Sequence, residues 1–120
     1  MTFFRQKTGK LGEDAAVTYL KRRGMTIKTR NYRCRIGELD IVAIDQGVLV
    51  FVEVRSRRTI GYGLPQETID VNKIAKVRRV AEYYLMVNKL IDVECRFDVI
   101  ALQLNDEGGV KNLDYIRNAF

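Results

Sequence analysis

The 120-residue sequence predicts an α/β domain whose mixed sheet carries helices on both faces. Three observations support this. The chain is 47% apolar with a single proline, which suffices for one compact core and falls short of two, so a single domain over residues 1–120 is expected. Apolar residues recur at helical spacing in two separate stretches, and elsewhere the period switches to two. The second helical stretch lies between strands, and a helix in that position makes a crossover connection.

The elements follow in order. From about Gly9 to Arg23, Leu11, Ala15, Ala16, Tyr19 and Leu20 form one stripe, with Gly24 as the stop. At about 100° per residue, Asp14 lies opposite this stripe while Glu13 falls at its edge, so only Glu13 looks toward the core. Met25 to Tyr32 alternates as a first strand. Glu38 to Asp45 and Val48 to Arg55 make two more, meeting at Gln46-Gly47. A polar loop from Ser56 to Pro65 follows. Asp70 or Thr68 can cap a second helix reaching about Val87, with Ile74, Val77, Ala81, Tyr84 and Leu85 on one face and Lys76 and Arg79 on the other. Cys95 to Leu104 reads as a buried strand in which Asp98 pairs with Arg96. "NDEGG" at 105–109 then turns the chain into a last edge strand around Leu113 to Arg117.

Composition excludes several classes. No apolar run approaches the roughly 18 residues needed to cross a bilayer, and "MTFFRQKTGK" has no signal-peptide segment. A soluble, cytoplasmic protein without membrane partners is expected. Cys34 and Cys95 lack neighbours at metal-ligand spacing and read as free thiols. The absence of histidine removes Ser-His-Asp and Cys-His hydrolases and every imidazole metal site. Any catalytic groups are therefore carboxylates, Lys, Arg, Tyr or Ser. "TGK" at 8–10 lacks the remainder of a phosphate loop, and "GYG" at 61–63 is too short for a nucleotide fingerprint.

The net charge of +6 is unevenly spread. Residues 1–35 hold ten Lys/Arg against two acids and residues 55–79 hold seven against two, while residues 36–54 hold four acids and no base. Basic surface on both sides of an acidic island suits a polyanion whose path crosses the island, because each neutralised phosphate releases counterions.

The island is the hairpin "GELDIVAIDQGVLVFVEVRSRR" at 37–58. If its loop holds an even number of residues, Ile44 faces Leu49. Asp40 then lies opposite Glu53 and Glu38 opposite Arg55, all four on one side of the sheet. A three-residue loop with a bulge would instead turn Asp40 away. In the first register the two carboxylates stand about 5 Å apart at Cβ, a repulsion on the order of 3 kcal/mol at an effective dielectric of about 20. A raised pKa, Arg55 as counter-ion, or a hard divalent cation held by carboxylate oxygens would each offset it.

Asp40, a 12-residue gap, then Glu53-Val54-Arg55, preceded by a helix bearing Glu13, resembles the PD-(D/E)XK nuclease superfamily. That resemblance implies the restriction-endonuclease-like α-β-β-β-α-β core. More closely, "GEDAAVTYLKRRG", "NYRCRIGELDIVAIDQGVLVFVEVRSRR" and "RFDVIAL" are similar to the UPF0102 (YraN-like) proteins, a bacterial group akin to archaeal Holliday-junction resolvases. Residue by residue, the resemblance implies that Asp40 and Glu53 bind Mg²⁺ or Mn²⁺, with Val54 lending its carbonyl and Glu13 assisting through water or a second ion. Arg55 takes the place of the motif's lysine. Arginine stays charged and cannot act as a base, although it can fix a water or stabilise developing negative charge. Arg57, Arg58, Lys73, Lys76 and Arg79 are the expected phosphate contacts.

The expected function is metal-dependent endonucleolytic hydrolysis of branched or structured DNA in repair or recombination. Self-association into a homodimer is expected if two opposite strands are cut, since C2 symmetry pairs two sites. The alternative is a catalytically silent nucleic-acid-binding or scaffold module of the same fold, a reading that Arg55 favours.

Overall fold

The computed structural model describes residues 3–57 and 70–120. Its elements are α1 (Phe3–Arg22), β1 (Thr26–Arg33), β2 (Glu38–Asp45), β3 (Val48–Arg57), α2 (Val71–Val87), β4 (Cys95–Leu104) and β5 (Val110–Ile116). This is the expected α/β order, with α1 beginning six residues earlier than the apolar stripe implied and β3 running on past Arg55. The remainder of the polar loop, with Thr68 and Arg58, lies outside the described residues.

The five strands form one sheet in the order β1-β2-β3-β4-β5. Only β3 and β4 run parallel, the pair separated in sequence by α2. The other neighbours are antiparallel, so the sheet is mixed. Side-chain alternation along β3 divides two cores. Val50 and Val52 pack with Ala16, Val17 and Leu20 of α1, while Leu49 and Phe51 pack with Val77, Val80, Ala81 and Tyr84 of α2. Each helix thus covers one face, as the stripes predicted.

The hairpin register is the one that the even-numbered loop implied. Asp45 pairs with Val48 and the ladder runs back to Ile41 opposite Val52. Gln46 (φ 50°) and Gly47 (φ 86°) are both left-handed. That is the signature of a two-residue type I′ turn, whose twist matches the flanking strands.

One close approach governs where α1 sits. Gly12 is buried against the end of β3, and a Cβ there would lie 2.8 Å from Cβ of Ser56. We expect Gly12→Ala to lower stability by about 1–3 kcal/mol, the cost of overpacking outweighing the ~1 kcal/mol gain in helix propensity. Urea unfolding measures this. The same contact brings Glu13, the next residue, to the open end of the β2–β3 hairpin.

A carboxylate pair at the fork of the sheet

At Asp40 the sheet splits. Ile41 and Ala43 pack toward α1, yet Leu39 joins the α2 core together with Val42. Strict alternation would have placed Leu39 beside Ile41, so β2 rotates at the residue between them. Beyond Ile41 and Val52 the strands exchange no further ladder pairs, whereas β2 stays paired to β1 through Leu39↔Tyr32 and Glu38↔Arg33. The Val54 N–H instead donates to Asp40 Oδ2 at 2.8 Å. A side-chain carboxylate has replaced a backbone acceptor, and that exchange opens a fork between β2 and β3.

Glu53 sits in the fork, 2% exposed, on the α2 side of β3 next to Phe51. Two cations approach the same oxygen. Arg55 Nη2 lies 3.7 Å and Lys73 Nζ 3.5 Å from Glu53 Oε1. Neither distance is that of a tight ion pair, and the balance of charge reflects it: burial and then the charge of Asp40 raise Glu53 to about 7, against the smaller pull of Lys73 and Arg55. Asp40 is raised as well, by burial, partly offset by the Val54 N–H, Arg55 and Lys73 and increased by Glu13. The two acids of the hairpin are close enough to repel each other, and their negative charge is only partly compensated.

Glu13 is near enough to raise Asp40 further but is tied elsewhere. Its Oε1 accepts from Arg30 Nε and Asn31 Nδ2, both at 3.0 Å. Arg30 also reaches Asp14 at 2.6 Å and holds the Asp14 carboxyl below its usual value, while Lys10 adds a more distant contact. As expected, Glu13 faces inward (side chain 12% exposed) and Asp14 outward (46%). The Arg30–Asn31 clamp was not anticipated, and Asn31 adopts a left-handed φ of 52° to supply it. The expected opposition of Glu38 and Arg55 does not occur. Because β2 leaves β3 at Asp40, Glu38 follows β1 and meets Arg33 Nε at 3.6 Å.

The predicted phosphate contacts divide. Lys73 is drawn to Glu53. Lys76 is exposed and lines, with Arg33, Cys34, Gly37, Glu38, Lys73 and Val77, a cleft of about 320 Å³ between α2 and the β1–β2 connection. Arg79 is exposed, and Arg57 is half-buried at the end of β3. The N-cap of α2 is Asp70, whose carboxylate accepts from the Lys73 N–H at 2.8 Å. That bond fixes the helical turn from which Lys73 projects. The Arg55 Nε is buried and has no acceptor.

Among the described residues, no group of three or more Asp, Glu or Cys side chains is arranged to hold a metal ion. The fork offers two carboxylates, and the chemistry of that donor set fits a hard divalent cation. Mg²⁺ is commonly held by one or two carboxylates, with waters and substrate phosphate oxygens completing the shell. Both donors are oxygen, both are raised chiefly by burial, and the two nearby cations leave them under-compensated.

A second buried polar cluster lies on β4, on the opposite face from Glu53. Asp98, with no exposed surface, accepts from Arg96 Nε and Nη2, from the Asn118 N–H and from the Tyr115 hydroxyl. Arg96 also donates to Asp45 at 3.0 Å. The expected pairing of Asp98 with Arg96 is observed, and both Asp98 carboxylate oxygens have partners within the chain.

The chain thus has an α-β-β-β-α-β core extended by β5, an α/β fold with Asp40 and Glu53 where the second and third strands part. The chain itself belongs to the UPF0102 family. The family model described as "Uncharacterised protein family UPF0102" matches residues 12–102, a span holding Glu13, Asp40, Glu53 and Asp98. The chain is similar to a UPF0102 protein of Pelotomaculum thermopropionicum, with 47% identity over 97% of each chain. It is 45% identical to one of Clostridium acetobutylicum, over 96% of this chain and 94% of that one. A Moorella thermoacetica relative is 43% identical over the full length of both. No helix among the described residues is long and apolar enough to cross a membrane.

Proposed function

We propose that this protein is a metal-dependent endonuclease that hydrolyses phosphodiesters of branched or structured DNA in repair or recombination. The observation that carries the proposal is the fork: two acids at the mouth of a hairpin, one of them raised to about 7, next to a cleft that bears Arg33, Lys73 and Lys76. A purely structural ion pair has no reason to leave its acid so poorly compensated, as the fully partnered Asp98 cluster of the same chain illustrates.

Asp40 and Glu53 would hold Mg²⁺ or Mn²⁺, with the Val54 carbonyl as the third donor of the chain. When bound, such an ion polarises a phosphodiester oxygen and lowers the pKa of an attacking water. The chain's own groups do the rest. Arg55 steadies Glu53 from within the sheet. Glu13, held by Arg30 and Asn31, would assist from α1 by orienting a water. Arg57, Arg58, Lys76 and Arg79 contact flanking phosphates. Two such sites in a C2 homodimer would cut opposite strands.

The test is incubation of the purified protein with fork, flap and four-way DNA plus Mg²⁺ or Mn²⁺. The proposal expects cleavage with at least one ion and its loss in the Asp40→Ala, Glu53→Ala double variant. Cleavage that survives both substitutions contradicts it. Affinity for the same DNA is expected to fall steeply with salt, and a salt-insensitive affinity would point to a protein-interaction module instead.

Arg55 favours a second reading, a silent nucleic-acid-binding module. Arg55→Lys separates the two, since cleavage that appears only in the variant marks a decayed site.

A further inference from the structure

The geometry points to Lys73, projecting from the first turn of α2, as the group that contacts the scissile phosphate and stabilises its developing charge, a role that the motif's lysine would fill and Arg55 does not. The inference rests on the nuclease reading above and deepens it.

Four observations lead to it. Lys73 Nζ stands 3.5 Å from Glu53 Oε1, closer than Arg55 Nη2 at 3.7 Å, so an ammonium already shares the pocket of the acid pair. Arg55 is the more enclosed of the two cations, with its side chain 22% exposed against 35% for Lys73. Lys73 also lines the cleft beside Arg33 and Lys76, so one side chain borders both the acids and the surface along which a phosphate backbone would run. Finally, the turn that carries it is pinned by the Asp70 cap on its own backbone N–H.

Chemistry distinguishes the two cations. An ammonium on a four-carbon stem is a compact charge that can follow a phosphoryl group as charge builds on its oxygens. A guanidinium packed beside Glu53 is better suited to holding that carboxylate in place. The division of labour is then Arg55 for the acid pair and Lys73 for the substrate. In hydrolysis the water gives up one proton to solvent as its oxygen forms the new P–O bond, the bond to the departing sugar oxygen breaks, and that oxygen takes a proton from solvent and leaves as an alcohol. Lys73 contributes by hydrogen bonding to a non-bridging oxygen throughout, without gaining or losing a covalent bond.

Single-turnover cleavage by Lys73→Ala, Lys73→Gln and Lys73→Arg, with protein in excess over DNA, separates rate from affinity. We expect the alanine and glutamine variants to lose about 100-fold in rate at saturating protein, and the arginine variant to recover part of that loss because it restores the charge. Mn²⁺ affinity measured without DNA is expected to be at least as tight in Lys73→Ala as in the wild type, because a cation beside Glu53 has been removed. Lys73→Met, which keeps the stem, replaces any variant that fails to fold. Wild-type rate at saturation with weakened DNA affinity would make Lys73 an ordinary phosphate contact and overturn the inference. Loss of Mn²⁺ binding would make it a structural prop and overturn it equally. If the wild-type chain cuts no DNA at all, the nuclease reading fails and this inference with it, an outcome distinct from failure in the Lys73 variants alone.

Discussion

In the absence of divalent ions at pH 8, the Glu53→Gln protein is expected to be more stable than the wild type by about 2–3 kcal/mol, and to cut DNA on the order of 10³-fold more slowly. The stability gain follows from the sign of the shift. Glu53 titrates near 4.5 in an unfolded chain and near 7 in the fold. Between those values the folded state binds more protons, so wild-type stability falls as the pH rises through the window, and the full penalty is present above about 7. Glutamine carries no charge and escapes it. Asp40 and Glu53 repel each other, so removing the Glu53 charge also relieves Asp40, and the gain belongs to the pair rather than to Glu53 alone. Urea titrations at pH 5.5 and pH 8 measure the difference. A wild type that gains on Glu53→Gln between those two conditions contradicts the account. Added Mn²⁺ is expected to raise wild-type stability and leave Glu53→Gln where it was, since a ligand that binds the native state stabilises it by mass action. One substitution thus separates what the acid costs the fold from what it does for the site.

The second large effect lies on the other face. Asp98→Ala is expected to cost about 3–5 kcal/mol, because it strands Arg96 in a buried position with only Asp45 and the Tyr115 hydroxyl to meet it. The same carboxylate receives the Asn118 N–H, so the segment after β5 is held by it too. Burial, and next the hydrogen bond to Asp98, push the Tyr115 hydroxyl up to about 12, which keeps that group a donor across the usable pH range. Asp98→Asn preserves acceptor shape but not charge and should cost less than the alanine change. Denaturant unfolding reads both, and a loss below about 1 kcal/mol for Asp98→Ala would show that the cluster is not the anchor described. Because Asp98 faces away from the fork, Mn²⁺ binding should persist in whichever variant remains folded.

How much of this was legible in the sequence depends on the range of the interaction. The helical stripes and the strands are local and were readable, whereas Gln46-Gly47 left two hairpin registers open, and the two-residue I′ turn of the structure selects the one that brings Asp40 near Glu53. The two-core arrangement follows from alternation on β3 and was equally readable. The departures are all non-local. Glu38 went to Arg33 because β2 rotates at Asp40, and the cause of that rotation, a carboxylate accepting a backbone N–H on the next strand, has no one-dimensional signature. Lys73 reads along the chain as one more basic residue on a helix. Its contact with Glu53 depends on where the start of α2 lands over β3, which periodicity does not specify. The clamp of Arg30 and Asn31 on Glu13 requires α1 to lie against β1. Gly12 was the available hint, a glycine inside an otherwise regular helical stripe where close backbone approach is the physical reason to tolerate one.

The central claim is that Asp40 and Glu53 together grip one divalent ion, and diffraction from a crystal of the wild-type protein soaked in Mn²⁺ at pH 8, collected for anomalous signal, tests it most directly. The account predicts one strong peak in the fork, within about 2.0–2.3 Å of a carboxylate oxygen from each residue, and no peak there in Glu53→Gln. A map with no peak between β2 and β3, or with manganese only at other acids, would contradict it.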